Sequence, residues 1–308
     1  MILLNQHGIG TGICMDKVIV TMGDKNFFHS IAVSALLAYE KHPEIQFNIY
    51  DWGLSDKQLD YLIAIPNVTI RDWKNNFVQN PFPKPSNFSR VFSPFRSSAN
   101  VGTKLHLARY TLENIFSDKP SFEWLYAQKP YVVKDLSSHF ENAFLLFLDG
   151  DALLNQDLNE LFSFNENIMV TLRDEKEIDF SFGHCQVLNA GVFAIQGSKI
   201  ERDLFFNSWI SYMHSKFEFL MEQSSLTRYV FSNNLVASKE SIQVLNDGLS
   251  VRLLDWYNYN YNKIENGICD KNKIIHFKGG RHSKDVFYKL AKEINITDKL
   301  DDVYRVVD

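Results

Sequence analysis

Apolar residues along this chain follow two rhythms, short unbroken runs and longer stretches with helical spacing. Residues 17–22 (KVIVTM) form a β-branched run of strand length, closed by Gly23-Asp24. Phe28, Ile31, Ala32, Ala35, Leu36 and Tyr39 then recur at helical spacing and predict a helix over 27–41. Residues 45–50 read as a second strand. Ser55 with Gln58 three residues later is a capping box that opens a helix ending near residue 65. Residues 68–71 read as a third strand. The order β-α-β-α-β argues for parallel strands joined by right-handed crossovers.

The rhythm breaks over 72–101. Four of the chain's eight prolines fall there, with Phe77, Phe82, Phe88, Phe92 and Phe95 among them. So many aromatics predict an ordered excursion over one sheet edge, and loops of this length are usually functional. Helical spacing resumes over 104–116 and 132–140. Residues 143–148 are entirely apolar and stop at Asp149-Gly150-Asp151. Strands are predicted over 167–172 and 186–195, separated by a charged stretch at 173–179. Helices follow over 200–220 and 222–231. An aromatic loop (255–262), a short strand (273–277) and a helix (284–293) complete the chain. No repeat or linker interrupts it, so a single domain over 1–308 is expected.

Composition narrows the function classes. With 45% hydrophobic and 22% charged residues, the chain is globular rather than disordered. A net charge of −5 argues against a dedicated nucleic-acid binder. Cys14, Cys185 and Cys269 are few, odd in number and widely spaced, which fits a reducing compartment and three buried thiols. The N-terminus shows neither a basic n-region nor an apolar h-region, and no run has the length of a membrane span. The expectation is a cytoplasmic protein, with peripheral attachment to a membrane left open.

Three features carry chemistry. In Asp149-Gly150-Asp151, carboxylates at i and i+2 point to one face where an apolar strand ends. Two carboxylates there call for a positive partner, and a hard divalent cation, Mn²⁺ or Mg²⁺, suits them. The alternative is a solvated loop that happens to hold two aspartates. Asn189-Ala190-Gly191 interrupts another apolar strand, as a bulge or a close approach to a ligand would require. In the run Ile274 to His282, a short strand ends in His276, and Gly279-Gly280 sits between Lys278 and Arg281. Imidazole ligates Mn²⁺, and glycines flanked by cations suit a phosphate. Taken alone, His276 would more often be an ordinary core histidine.

Together, these elements resemble a known family. The order hhhhDxD, NAG, (D/E)Q and HFxG is similar to that of metal-dependent GT-A-fold glycosyltransferases of the retaining, glycogenin-like and galactosyltransferase type. Leu146 to Asp151, Asn189 to Gly191, Glu222-Gln223 and His276 to Gly279 supply it, and the resemblance spans residues 17–282. It implies a Rossmann-like mixed central sheet flanked by helices. Residues 17–151 would be a nucleotide-binding half and 152–308 a sugar and acceptor half.

The resemblance also implies roles. Asp149, Asp151 and His276 would hold the metal, with Asp149 also near the ribose. Lys278, Gly279 and Arg281 would meet the diphosphate. Asn189 and Gly191 would lie by the transferred sugar, and Gln223 and Glu222 would face the reacting carbon. Thr21 to Asp24 would bind the nucleobase, and Lys104, Arg109 and Lys129 are basic candidates for the donor. The donor would be a UDP-sugar, and the acceptor a glycan, a lipid-linked sugar or a protein side chain. Trp256 and Tyr257 are candidate contacts to the acceptor or the donor sugar, because aromatic faces stack on sugars, the alternative being aromatics packed on the core; Asp174 lies in the loop where this family often meets the acceptor. Two departures stand out: His282 occupies the family's usual lysine position, and Glu222 replaces the more common Asp. Competing readings are a sugar-nucleotide-binding pseudoenzyme and a haloacid-dehalogenase-type phosphatase. The latter fits less well, because Leu153 stands where its motif carries Thr or Val and the DxD lies far from the chain start.

Overall fold

A computed structural model describes residues 15–79, 81, 122–178, 187–216, 218, 220–232, 240–277, 292 and 296–306. Its centre is an eight-stranded mixed sheet, with order β3-β2-β1-β4-β7-β6-β9-β8. The strands are β1 (Asp16–Asp24), β2 (Gln46–Gly53), β3 (Val68–Asp72), β4 (Asn142–Leu148), β6 (Ile168–Leu172), β7 (Leu188–Ser198), β8 (Ile242–Val244) and β9 (Ser250–Leu254). As the βαβαβ reading required, β3, β2, β1 and β4 run parallel. β7 is antiparallel to both β4 and β6. β5 (Ala152–Leu154) and β10 (Ile274–His276) form a separate antiparallel pair.

The unbroken apolar runs reflect burial on both faces. Along β4, Phe144, Leu146 and Leu148 enter one core with Ile19 of β1, beneath α1 (Phe28–Lys41). Leu145 and Phe147 enter the opposite core with Val18 and Val20. That second core packs under α4 (Lys129–Ser137), α5 (Lys199–Ser215) and α6 (Met221–Val230). Capping boxes at Ser55–Gln58 and Ser198–Glu201 start α2 (Asp56–Ile63) and α5.

Several boundaries differ from the sequence expectation. α5 ends at Ser215, not at residue 220, because Lys216 is extended and Leu220 is left-handed (φ 48°). The aromatic stretch at 255–262 is not only loop, since Trp256–Tyr259 make one helical turn, α7. β5, β8, β9, α3 (Phe122–Tyr126) and α8 (Thr297–Arg305) had no counterpart in the sequence reading. Cys269 is exposed, against the expectation of a buried thiol. Its turn instead buries Asn272, whose Oδ1 accepts from the Cys269 N–H and whose Nδ2 donates to Tyr257 O. Cys14, Cys185, the helix over 104–116, the excursion beyond residue 79 apart from residue 81, and the helix over 284–293 apart from residue 292 lie outside the described residues. Among the described residues, no helix is long and apolar enough to cross a membrane.

Candidate active site

The site forms where β4 and β7 meet the small β5/β10 pair. β4 ends at Leu148, and the Asp149 N–H donates to Gly191 O of β7 at 2.8 Å. The chain turns at Gly150 and returns as β5, where Ala152 pairs with His276. Asp151 O accepts from the Phe277 N–H at 2.9 Å. Backbone pairing alone therefore carries His276, 125 residues downstream, to the two aspartates. Its Nε2 lies 3.1 Å from Asp151 Oδ1 and 3.6 Å from Asp149 Oδ2. Ligand atoms of Asp149, Asp151 and His276 all lie within 4.8 Å of one another.

Two irregularities make room for this convergence. The β6/β7 register jumps from Val170–Phe193 to Thr171–Asn189, so 190–192 bulge out of the ladder. The buried Thr171 hydroxyl is placed to donate to Asn189 O (3.1 Å) and Val192 O (3.0 Å), two carbonyls at the edges of the bulge. Gly191 sits inside it. A Cβ there would lie 2.3 Å from His276 Cε1 and 2.5 Å from Asp149 Oδ2, so any side chain would displace both. The interruption at Asn189-Ala190-Gly191 is thus a bulge, with the His276 and Asp149 side chains packed closely against Gly191.

Lys129, the first residue of α4, enters the same space. Its Nζ lies 2.8 Å from Asp149 Oδ1, 3.1 Å from Asp149 Oδ2 and 3.5 Å from Glu222 Oε1, and its side chain is 4% exposed. Burial alone would lower the ammonium, but Asp149 and then Glu222 outweigh it and hold Lys129 above the ordinary lysine range. Burial raises Glu222, which Lys129 opposes and Asp149 reinforces, so its carboxyl stays above the usual range. Glu222 Oε2 is buried without a hydrogen-bond partner among the described residues. Burial would also raise Asp151, but His276 and then Lys129 outweigh that and hold it low. Three carboxyl groups, one ammonium and one imidazole are thus gathered in one small space.

Glu222 and Gln223 are held at the start of α6. The buried Glu123 carboxylate accepts from the Met221 N–H at 3.0 Å, and the Trp209 indole donates to Glu222 O at 2.8 Å. Gln223 Oε1 accepts from the Ala190 N–H at 3.2 Å, which ties this helix to the bulge. Leu220, left-handed just before the helix, also lines the pocket. A non-glycine residue in that conformation stores strain of a kind that gathers at functional sites.

One pocket therefore contains Lys129, Asp149, Asp151, Asn189, Glu222, Gln223 and His276, with Gly191 packed against their side chains. Met22, Phe27 and Trp52 also line it; of the 21–24 segment expected at the nucleobase, Met22 is the residue that reaches this pocket. Thr21 faces inward, 2% exposed, and Asp24 accepts hydrogen bonds from the Asn26 N–H and side-chain amide. Trp256 and Tyr257 line a second pocket with Tyr261 and Lys263, and Lys263 Nζ lies 3.8 Å from Asp174. Lys104, Arg109, Lys278, Gly279 and Arg281 lie outside the described residues. Sequence reasoning missed Tyr126 and Arg173, both lining the first pocket, and Asn260, buried behind His276. Arg173 had a usable signal, since it follows directly on a predicted strand.

No family model matches the chain. No curated protein matches it either. Solved structures do. The bifunctional glycosyltransferase WbbM aligns over 96% of this chain at TM-score 0.52 and 12% identity. The fold is that of a solved glycosyltransferase. The chain spans about half of WbbM, 52% of its length. The galactosyltransferase LgtC, solved with donor and acceptor sugar analogs, aligns over 91% of this chain and 95% of its own, at 15% identity and TM-score 0.48. The glycosyltransferase GlyE of Streptococcus pneumoniae TIGR4 aligns over 95% of this chain and 64% of its own, at 13% identity and TM-score 0.47.

Proposed function

We propose that this chain is a glycosyltransferase that moves a sugar from a nucleoside-diphosphate donor, a UDP-hexose or a relative, to a hydroxyl acceptor, with a divalent cation and with retention at the anomeric carbon. The single observation that carries this reading is the Asp149/Asp151/His276 cluster at the strand ends of a fold shared with a solved glycosyltransferase. Two carboxylates and an imidazole are a donor set that suits Mn²⁺, and Mg²⁺ less well. The fit has a structural sign: Gly191 leaves the side of the cluster free of any Cβ, so the ligands can close on one point. When bound, the cation supplies positive charge against the diphosphate leaving group.

The remaining roles belong to the chain's own residues. Lys129 holds Asp149 and offsets its charge, so that carboxylates can gather in a buried place. Glu222 and Gln223, fixed by Trp209 and by the bulge, stand opposite the leaving group and shape the space for the sugar, with Asn189 beside them. In a retaining transfer, the anomeric C–O bond to the diphosphate breaks and a bond to the acceptor oxygen forms on the same face. The acceptor proton passes to the departing phosphate oxygen. The alternative, a covalent intermediate on a carboxylate, would use Glu222.

We place the nucleobase at the end of β1, near Thr21 and Asp24 and against Met22 and Trp52. Lys278, Gly279 and Arg281 are proposed for the diphosphate, and Lys104 and Arg109 as further basic contacts to the donor. Asp174, Trp256 and Tyr257 are proposed for the acceptor. The whole chain acts as one unit, cytoplasmic on this reading.

The test is donor hydrolysis without acceptor. The protein is incubated with Mn²⁺ and a panel of UDP-, GDP- and CDP-sugars, and nucleotide release and the freed anomer are followed. Release from one donor, abolished by Asp151→Ala in a folded variant, is the expected result. Initial release of the α anomer from an α-linked donor would support retention. Full metal-dependent activity in Asp151→Ala would overturn the assignment. Donor-induced stabilisation without release or transfer would indicate a binding protein.

A further inference from the structure

Asn260 ends the helical turn α7, its N–H donating to Trp256 O at 3.0 Å. It is 1% exposed. Its side-chain oxygen lies 2.8 Å from His276 Nδ1, on the ring edge opposite the aspartates. Its Nδ2 is buried without a partner among the described residues. An amide with an orphaned donor is a poor way to fill a core, because the lost hydration is not repaid. A leucine would occupy nearly the same volume without that cost. Among the described residues, the side-chain amide's one hydrogen bond is to His276, which points to a role there rather than in stability.

The geometry gives that role. The backbone of His276 is fixed by its pairing with Ala152 and by its N–H donating to Tyr261 O at 2.8 Å. Neither contact fixes the rotation of the ring about its own bond. For Nε2 to offer a lone pair to a cation, the ring proton must sit on Nδ1, and an acceptor must hold it there. The Asn260 oxygen is that acceptor. Residues 260 and 261 thus hold ring and backbone together, from one strap of chain.

We infer that Asn260 is a positioning residue for His276 and sets the divalent-cation affinity of the Asp149/Asp151/His276 cluster. This rests on the metal reading proposed above. The probe is Mn²⁺ alone, without donor or acceptor, titrated calorimetrically into the full chain. Electron spin-echo modulation reports whether a histidine nitrogen is bound to the ion. Asn260→Leu keeps the volume and removes the acceptor. It is expected to weaken Mn²⁺ by about 10–100-fold, the usual effect of losing such a partner, and to lose the nitrogen modulation. Asn260→Asp restores an acceptor and is expected to recover both. Circular dichroism and Tm check folding, and Asn260→Ala replaces the leucine variant if that one misfolds.

Wild-type affinity and nitrogen modulation in a folded Asn260→Leu or Asn260→Ala protein would overturn the inference and leave the metal reading standing. An Asn260→Asp protein as impaired as the leucine variant would overturn it too. Failure of the wild-type chain to bind Mn²⁺ would overturn the metal reading, and this inference with it.

Discussion

Replacing Lys129 by methionine tests the electrostatic logic of the site most directly. The substitution keeps most of the side chain's apolar length and removes the ammonium. In the native chain that ammonium is 4% exposed, 2.8 Å from Asp149 and 3.5 Å from Glu222. Its partners are mostly buried as well, at 19% and 4% exposed, so solvent screens the cluster little. Removing one member of such a group costs about 3–5 kcal/mol, because the other charges stay buried without compensation. At about 2 °C per kcal/mol, the low end for large domains, Tm should fall by about 6–10 °C.

The loss should also depend on pH. Burial already holds Glu222 above the ordinary glutamate value of 4.5, and Lys129 is the largest of the influences that lower it. Without Lys129, Glu222 rises further. A carboxyl raised in the folded state binds more protons there than in the unfolded chain. Stability therefore falls as pH rises from the unfolded value toward the folded one. The deficit of the variant should be larger near pH 8 than near pH 5, read by urea unfolding at each. Added Mn²⁺ should recover part of it, on the metal reading, by replacing the lost positive charge. An unchanged Tm at both pH values would refute the account of Lys129 as the cluster's internal counter-charge.

Two further outcomes follow from the geometry. Gly191→Ala places a methyl group 2.3 Å from His276 and 2.5 Å from Asp149, so the ligands must separate. The protein should lose about 1–3 kcal/mol from overpacking and also bind Mn²⁺ more weakly; unaltered Mn²⁺ titration would contradict the close-approach argument. Trp256→Ala should leave acceptor-free donor hydrolysis unchanged while raising the acceptor KM, since Trp256 lines the second pocket and not the one at Asp149. Equal KM values in the two proteins would remove that pocket from the acceptor path.

Much of the fold was legible because its signals are local. The β1-α1-β2-α2-β3 rhythm, the Ser55–Gln58 box and the run before Asp149 each report their environment within a few residues. The failures share a physical cause. β5 and β8 have three residues each, too few for periodicity to register. α8 is strongly amphipathic, but its apolar positions are only Leu300, Val303 and Tyr304 within a charged sequence. Cys269 was misjudged from residue type alone, because its turn gives the interior to Asn272.

The site divides along the same line. Asp149 and Asp151 were visible as charges set against an apolar strand, and His276 as an imidazole on a short one. Their convergence depends on a β5/β10 pair that no local pattern announces. Groups that support a site from behind are harder still to see. Thr171 looks like any β-branched strand residue, yet its hydroxyl braces the bulge that admits Gly191. Asn260 looks like one more amide in an aromatic stretch, yet it faces the ring nitrogen of His276. Such residues carry no signal of their own because their chemistry consists of one hydrogen bond to a distant partner. A sequence reading therefore finds the groups that would meet the substrate before the groups that aim them, and the second set is where the structure adds most.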